Sequence, residues 1–279
     1  MNKSPWWVRI AAPIGVFVAV ALAWHWSVDF FKLPGVLLPK PLRVLEAIWT
    51  ERSRLLSGAW VTLQASALGL ALSTLIGSAV AILFSQSSWI RTALYPYVIF
   101  LQTVPIVAIA PLLIVWSGAE FRTVVLVSCI ISIFPIISNV TSGLLSIDQN
   151  HLDLFRLQAA SRWQTLLKLR IPSAVGSLVQ GLRISCGLSV IGAIVGELFV
   201  GNSGASDGLG ALMNAMQANL RTAELIGAII ACTLLGVLLF LGVEALIAPM
   251  SSAVRRLACM AFIKAPRPSL APELPTKSS

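Results

Sequence analysis

Six stretches of about 20 mostly apolar residues run along the chain, at about 7–27, 59–84, 93–116, 122–145, 174–200 and 223–249. Charges, tryptophans or Gly/Pro/Ser clusters bound each of them. A helix rising 1.5 Å per residue needs about 20 such residues to cross a hydrocarbon layer of about 30 Å. The pattern therefore predicts an all-α, polytopic membrane protein with about six transmembrane helices. Lys3 and Arg9 precede the first stretch, and Ala21-Leu22-Ala23 resembles a signal cleavage site. Its apolar length, with Trp24 and Trp26 at the interface, favours an uncleaved anchor. From Val28 to Gly58 the pattern changes. Pro34, Pro39 and Pro41 lead into an amphipathic turn through Val44, Leu45, Ile48 and Trp49, expected to lie along the membrane surface.

Composition strengthens this picture. Hydrophobic residues make up 57% of 279 and charged residues only 11%, with a mean hydropathy of +0.87. A water-soluble globule of this size needs far more polar cover, so lipid must be part of the solvent. The net charge of +9 would suggest nucleic acid on a soluble domain. Here the basic residues sit between apolar runs, which reads as topology signal and contact with anionic headgroups, with no nucleic-acid partner. With both termini cytoplasmic, twelve Lys and Arg fall on the cytoplasmic side and seven on the other, leaving Arg183 inside the fifth span. That bias agrees with the positive-inside rule. Cys129, Cys186, Cys232 and Cys259 are widely separated, without a CxxC pair or a histidine cluster, so neither a disulfide framework nor a metal site is expected.

The longest polar connection between spans runs from about Ser146 to Pro172. Leu152, Phe155, Ala159, Trp163 and Leu166 recur at steps of three and four, giving one apolar face, while Asp153, Arg156 and Gln164 project elsewhere. Such a segment is either a plain surface helix or a knob that enters a groove on a partner. Physics alone leaves both open.

Asp153-Leu154-Phe155, Ala159 and Leu169-Arg170-Ile171-Pro172 resemble the coupling-loop signature of permeases in ATP-binding-cassette importers. That signature reads Glu-Ala-Ala, a Gly four residues on, then Ile-x-Leu-Pro. Asp153 stands for the Glu, Leu154 and Phe155 for the alanines and Ala159 for the Gly, so the first half departs from the pattern. The likeness extends through Phe100-Leu101-Gln102-Thr103-Val104-Pro105, Ala110-Pro111-Leu112, Gly181-Leu182-Arg183-Ile184, Gly196-Glu197-Leu198-Phe199 and Gly208-Leu209-Gly210, over about residues 34–250. Within the family the chain is most similar to the nitrate, sulfonate and taurine group, with likeness to thiamine-precursor and riboflavin permeases.

The resemblance implies a type I ABC importer permease fold in the bacterial inner membrane. Residues 151–170 would form a coupling helix that enters a cleft on a cytoplasmic ATPase, with Asp153, Phe155, Arg156, Ala159, Trp163, Ile171 and Pro172 as coupling residues. Asp153 and Arg156 would be docking contacts, Ala159 would permit a tight turn, and Pro172 would end the helix. Two ATPase copies, a periplasmic or lipid-anchored solute-binding protein and a second permease copy are the implied partners. No cofactor is expected on this chain, which lacks a complete P-loop and so is not expected to be an enzyme; ATP is used by the partner subunit.

Gln102, Thr103 and Pro105 place polar groups and a broken backbone at membrane depth, which suits a path or a hinge as well as a packing kink. Glu197 within the fifth span is costly unless paired, protonated or facing water, and is expected on the translocation pathway; Glu244 sits similarly in the sixth. The expected organisation is an N-terminal helix and external amphipathic segment over 1–58, a permease core over 59–250 with the coupling loop at about 146–172, and a disordered basic tail over 251–279. The alternative function is a self-contained secondary transporter, which ought to carry more charge deep in several spans.

Overall fold

The computed structural model describes residues 6–32, 34–201 and 207–263, and among them every regular element is helical. In chain order these are α1 (Trp6–Phe30), α2 (Pro41–Thr50), α3 (Arg52–Gln86), α4 (Ser88–Thr103), α5 (Ile106–Ser117), α6 (Phe121–Leu145), α7 (Gln149–Leu157), α8 (Arg162–Thr165), a π-helical turn (Leu166–Arg170), α9 (Ile171–Val200), α10 (Leu209–Ala218) and α11 (Thr222–Ile263). Four described segments are long and apolar enough to cross a membrane: Arg52–Gln86, Phe121–Leu145, Arg162–Val200 and Thr222–Ala248. The expected third span is instead two helices, α4 and α5, bent by 99°. Pro105 explains the break, since it removes a backbone donor and biases Val104 to the extended conformation it adopts, ψ 126°. The first expected window falls on α1, of which Ile14–Phe30 is a shorter apolar helix.

Helix α6 lies at the centre, packed along α9 and α3. Lipid offers no hydrophobic drive for joining helices, so association depends on close packing and buried hydrogen bonds. Both are present. A Cβ on Gly192 of α9 would lie 2.6 Å from the Ser128 Cα of α6, so only glycine admits this approach. Around it Ser128 Oγ donates to the Ser189 carbonyl at 2.8 Å and Ser185 Oγ donates to the Ser132 carbonyl at 2.6 Å. Each such bond contributes about 0.6 kcal/mol in a bilayer.

Helix α2 buries Val44 and turns Leu42, Leu45 and Trp49 outward, while Ile48 approaches Gly227 of α11. At that end of the bundle Arg221 Nη2 donates to Glu51 Oε1 at 2.7 Å and to Glu224 Oε1 at 3.0 Å, with Arg54 on Glu51 Oε2 at 3.3 Å. The Arg221 guanidinium, helped by Arg54, holds the Glu51 carboxyl below its ordinary range against the opposing effect of burial. Five of the seven cations assigned to this side, Lys40, Arg43, Arg54, Arg122 and Arg221, sit in ion pairs.

Helix α11 continues past Met250 to Ile263, into the stretch expected as a disordered tail. Its apolar Ala253, Leu257, Met260 and Ala261 recur at helical spacing. The remainder of that expected tail, 264–279, and residues 202–206 between α9 and α10 lie outside the described residues.

Candidate functional site

The polar connection between α6 and α9 folds as a helix–turn–helix at one end of the bundle. Asp148 caps α7 by accepting the Asn150 N–H at 3.0 Å. The helix then closes on a left-handed residue, Ala159, at φ +50°. The Ala160 N–H bonds the Phe155 carbonyl at 3.0 Å and the Ala159 N–H the Arg156 carbonyl at 2.9 Å, which is a Schellman cap. Glycine is favoured at that position, and it is where the resembled signature has its Gly. Ser161 starts the next helix through a capping box, accepting the Gln164 N–H at 3.2 Å while Gln164 Oε1 accepts the Ser161 N–H at 2.8 Å.

Residues 151–170 are therefore not one coupling helix. The turn at 158–161 divides the apolar face inferred from the spacing. Leu152 and Phe155 are half-buried and Leu166 is buried, whereas Trp163 is 71% exposed and Ala159 lies on the surface. Leu154, Leu157 and Leu167, which the spacing did not single out, are exposed, as Trp163 is. Several large apolar side chains exposed on one short polar segment mark an interaction surface. Asp153 and Arg156 pair with each other at 2.9 Å on the exposed face.

Pro172 does not end the helix. The chain stays helical from Arg162 to Val200, because the π-turn sends the Ile171 N–H back to the Leu166 carbonyl and Pro172 falls in the first turn of α9. Ile171, half-buried, packs against the Ile136, Leu144 and Leu166 cluster. Arg170 donates from Nη1 to the Ser85 carbonyl at 2.8 Å, capping the last turn of α3. The knob is thus tied rigidly to both α3 and α9.

The four residues expected on a pathway occupy different settings. Gln102, Thr103 and Pro105 are exposed at the break between α4 and α5. Glu197 is not open to a path in this structure, being only 4% exposed. Its Oε2 accepts from Thr62 Oγ1 at 2.9 Å and from the Gly210 N–H at 2.8 Å, and Thr62 Oγ1 in turn accepts the Leu209 N–H at 2.9 Å. These bonds and the N-terminus of α10, whose dipole favours a carboxylate, offset part of the cost of burial, while Oε1 is buried without a hydrogen-bond partner. Gly208 and Gly210 make room, since a Cβ on Gly208 would overlap the carboxylate itself. Glu197 joins α3, α9 and α10.

Arg183 and Glu244, taken as separate charges from the sequence, form one bidentate pair between α9 and α11, at 2.9 and 2.6 Å.

The comparison that decides the family is a match of residues 44–256 to the binding-protein-dependent transport system inner membrane component. The chain belongs to this family. It is a permease subunit of a binding-protein-dependent ABC importer. The formylaminopyrimidine transport permease protein of Halalkalibacterium halodurans is 32% identical over 84% of this chain and 92% of its own length. The riboflavin transport system permease protein of Chloroflexus aurantiacus is 30% identical over 75% of this chain and 76% of its own. Permeases named for taurine, aliphatic sulfonates and nitrate also match, at 27 or 28% identity. An inward-facing form of the methionine ABC transporter MetNI shares the fold, with a TM-score of 0.54 at 19% identity over 70% of this chain and 97% of that one. A type I importer permease fold is the result.

Proposed function

We propose that this permease moves a small organic or anionic solute inward by alternating access driven by a separate cytoplasmic ATPase, which docks on the α7–α8 knob. The observation that carries this is the exposure of Leu154, Leu157, Trp163 and Leu167 on one polar segment tied to α3 and α9. Closure of the ATPase pushes the knob, and the unbroken helix from Arg162 to Val200 carries that displacement into the membrane. The knob end is then cytoplasmic, with both termini on that side. The Glu51–Arg221 end faces a solute-binding protein outside.

One knob per chain calls for a second permease copy to engage two ATPase subunits. Cargo is of the formylaminopyrimidine or riboflavin type, or of the sulfonate, taurine or nitrate type, by analogy with the relatives. ATP hydrolysis belongs to the partner, and this chain binds no cofactor. The test is uptake into proteoliposomes holding the permease, its ATPase and its binding protein. Uptake that needs ATP and is lost in a Phe155→Asp, Arg156→Glu double variant supports the reading, and uptake without the ATPase overturns it.

A further inference from the structure

The spanning helices turn different kinds of surface outward. Helix α3 beyond Gln64 presents Leu68, Leu72 and Leu75, and α11 presents Leu234, Leu238 and Leu241, large and apolar as hydrocarbon requires. Helix α9 presents Ser173, Gly176, Gln180, Arg183 and Gly187, exposed at steps of three and four, with Ile184 and Ile191 exposed among them. Arg183 lies twelve residues into α9, about 18 Å along its axis. A guanidinium and an amide at that depth do not face lipid tails; they face water or a polar partner.

The pair at the centre of this face has capacity to spare. Arg183 uses its Nε and one Nη2 hydrogen on Glu244 and keeps three N–H donors, and each Glu244 oxygen keeps a lone pair. Both side chains remain about 40% exposed, at 42% and 39%. The station is therefore net neutral and rich in both donors and acceptors. A fixed anion such as nitrate or a sulfonate that takes the remaining Arg183 donors sits beside the Glu244 carboxylate, which repels it at membrane depth. An uncharged heterocycle with a ring nitrogen beside an amino or carbonyl group adds to the pair without separating its charges.

We propose that Gln180, Arg183 and Glu244 form a specificity-determining station on the aqueous path, selecting an uncharged, hydrogen-bonding heterocycle over small inorganic or sulfonate anions. This inference rests on the importer reading above and chooses between its two cargo classes.

Two measurements on the complete complex of permease, ATPase and binding protein test it. Single cysteines at Gly176, Gln180 and Gly187 are reacted with a charged methanethiosulfonate reagent, with Leu234→Cys and Leu238→Cys as lipid-facing controls and the native chain as the blank. Gly176 and Gly187 have nothing within 4 Å of an added Cβ, so these cysteines fit. The α9 positions are expected to react at least about tenfold faster than the controls; equal rates place this face against lipid or a second copy and overturn the proposal.

In the second, uptake of radiolabelled formylaminopyrimidine, riboflavin, ethanesulfonate and nitrate is compared. One of the heterocycles is expected to exceed both anions about tenfold, and Arg183→Gln and Glu244→Gln each to reduce its uptake about tenfold. The exchanged pair, Arg183→Glu with Glu244→Arg, is expected to regain the native unfolding temperature but not uptake. Recovery of uptake in the exchanged pair, preference for an anion, or uptake of neither heterocycle overturns the proposal. Failure of the native chain to assemble with any ATPase overturns the importer reading instead.

Discussion

Arg170 reaches the Ser85 carbonyl at 2.8 Å, joining the π-turn behind the knob to the last turn of α3, 85 residues earlier in the chain. The contact gives the knob a second attachment besides its continuity with α9. Loss of a charged donor from a partly buried carbonyl costs about 1–3 kcal/mol. Arg170→Met is therefore expected to lower the unfolding temperature modestly. It also lowers transport per ATP hydrolysed more than it lowers hydrolysis, as measured by the ratio of uptake to phosphate release in proteoliposomes. An unchanged ratio contradicts the rigid-attachment account.

Ala159 is held at φ +50°, which costs a non-glycine residue about 1–2 kcal/mol. Glycine relieves that strain but loses about 0.5–1 kcal/mol through the freer unfolded chain. Ala159→Gly is expected to stabilise the protein by up to about 1 kcal/mol without loss of uptake, and Ala159→Val to destabilise it. Thermal unfolding of the detergent-solubilised chain decides, and a destabilised glycine variant contradicts the reading.

Glu197→Ala leaves the Gly210 N–H without its carboxylate acceptor inside the bundle and breaks the Thr62 link between α3 and α9, the Thr62 hydroxyl keeping only the Gly58 carbonyl at 3.0 Å. The expected loss is about 2–4 kcal/mol. Gly208→Ala is expected to disturb the same point by displacing the carboxylate it would overlap. Loss of α10 protection in hydrogen exchange, with α6 and its contacts with α9 retained, is the predicted signature of both.

The Glu51 carboxyl titrates below its ordinary value of 4.5 because Arg221, and then Arg54, favour its charged form. A depressed carboxyl contributes stability that is full above the unfolded value and disappears as pH falls through the folded one. The difference in stability between the native chain and Glu51→Gln is expected to be constant near neutrality and to vanish as pH falls below 4.5. Because Arg221 is 39% exposed, the difference is about 1 kcal/mol at most. A difference that grows on acidification contradicts the assignment.

Much of this was legible in the chain itself. Apolar runs long enough for lipid located the spans, and the polar, helically spaced stretch after Leu145 located the knob. The turn inside that stretch was not legible, since Ala159 stands where a glycine would have signalled the cap. Nor was the setting of Glu197, whose partner Thr62 lies 135 residues away, or the pairing of Arg183 with Glu244 across 61 residues. Charges in apolar runs announce that a partner exists, but only the packing of α9 against α3 and α11 says which. The 99° bend was half legible: Pro105 marked a break, while its size depends on how α5 rests on α6 and α9.

The most direct measurement is co-purification of the ATPase with the native chain and with a Leu154→Asp, Leu157→Asp variant. Both positions are exposed and lie outside the bundle's packing, so the variant is expected to insert and dimerise normally. The account predicts that the native chain retains two ATPase subunits per permease pair and that the variant retains almost none. Equal recovery of ATPase by both, from permeases of equal yield, contradicts docking at this knob.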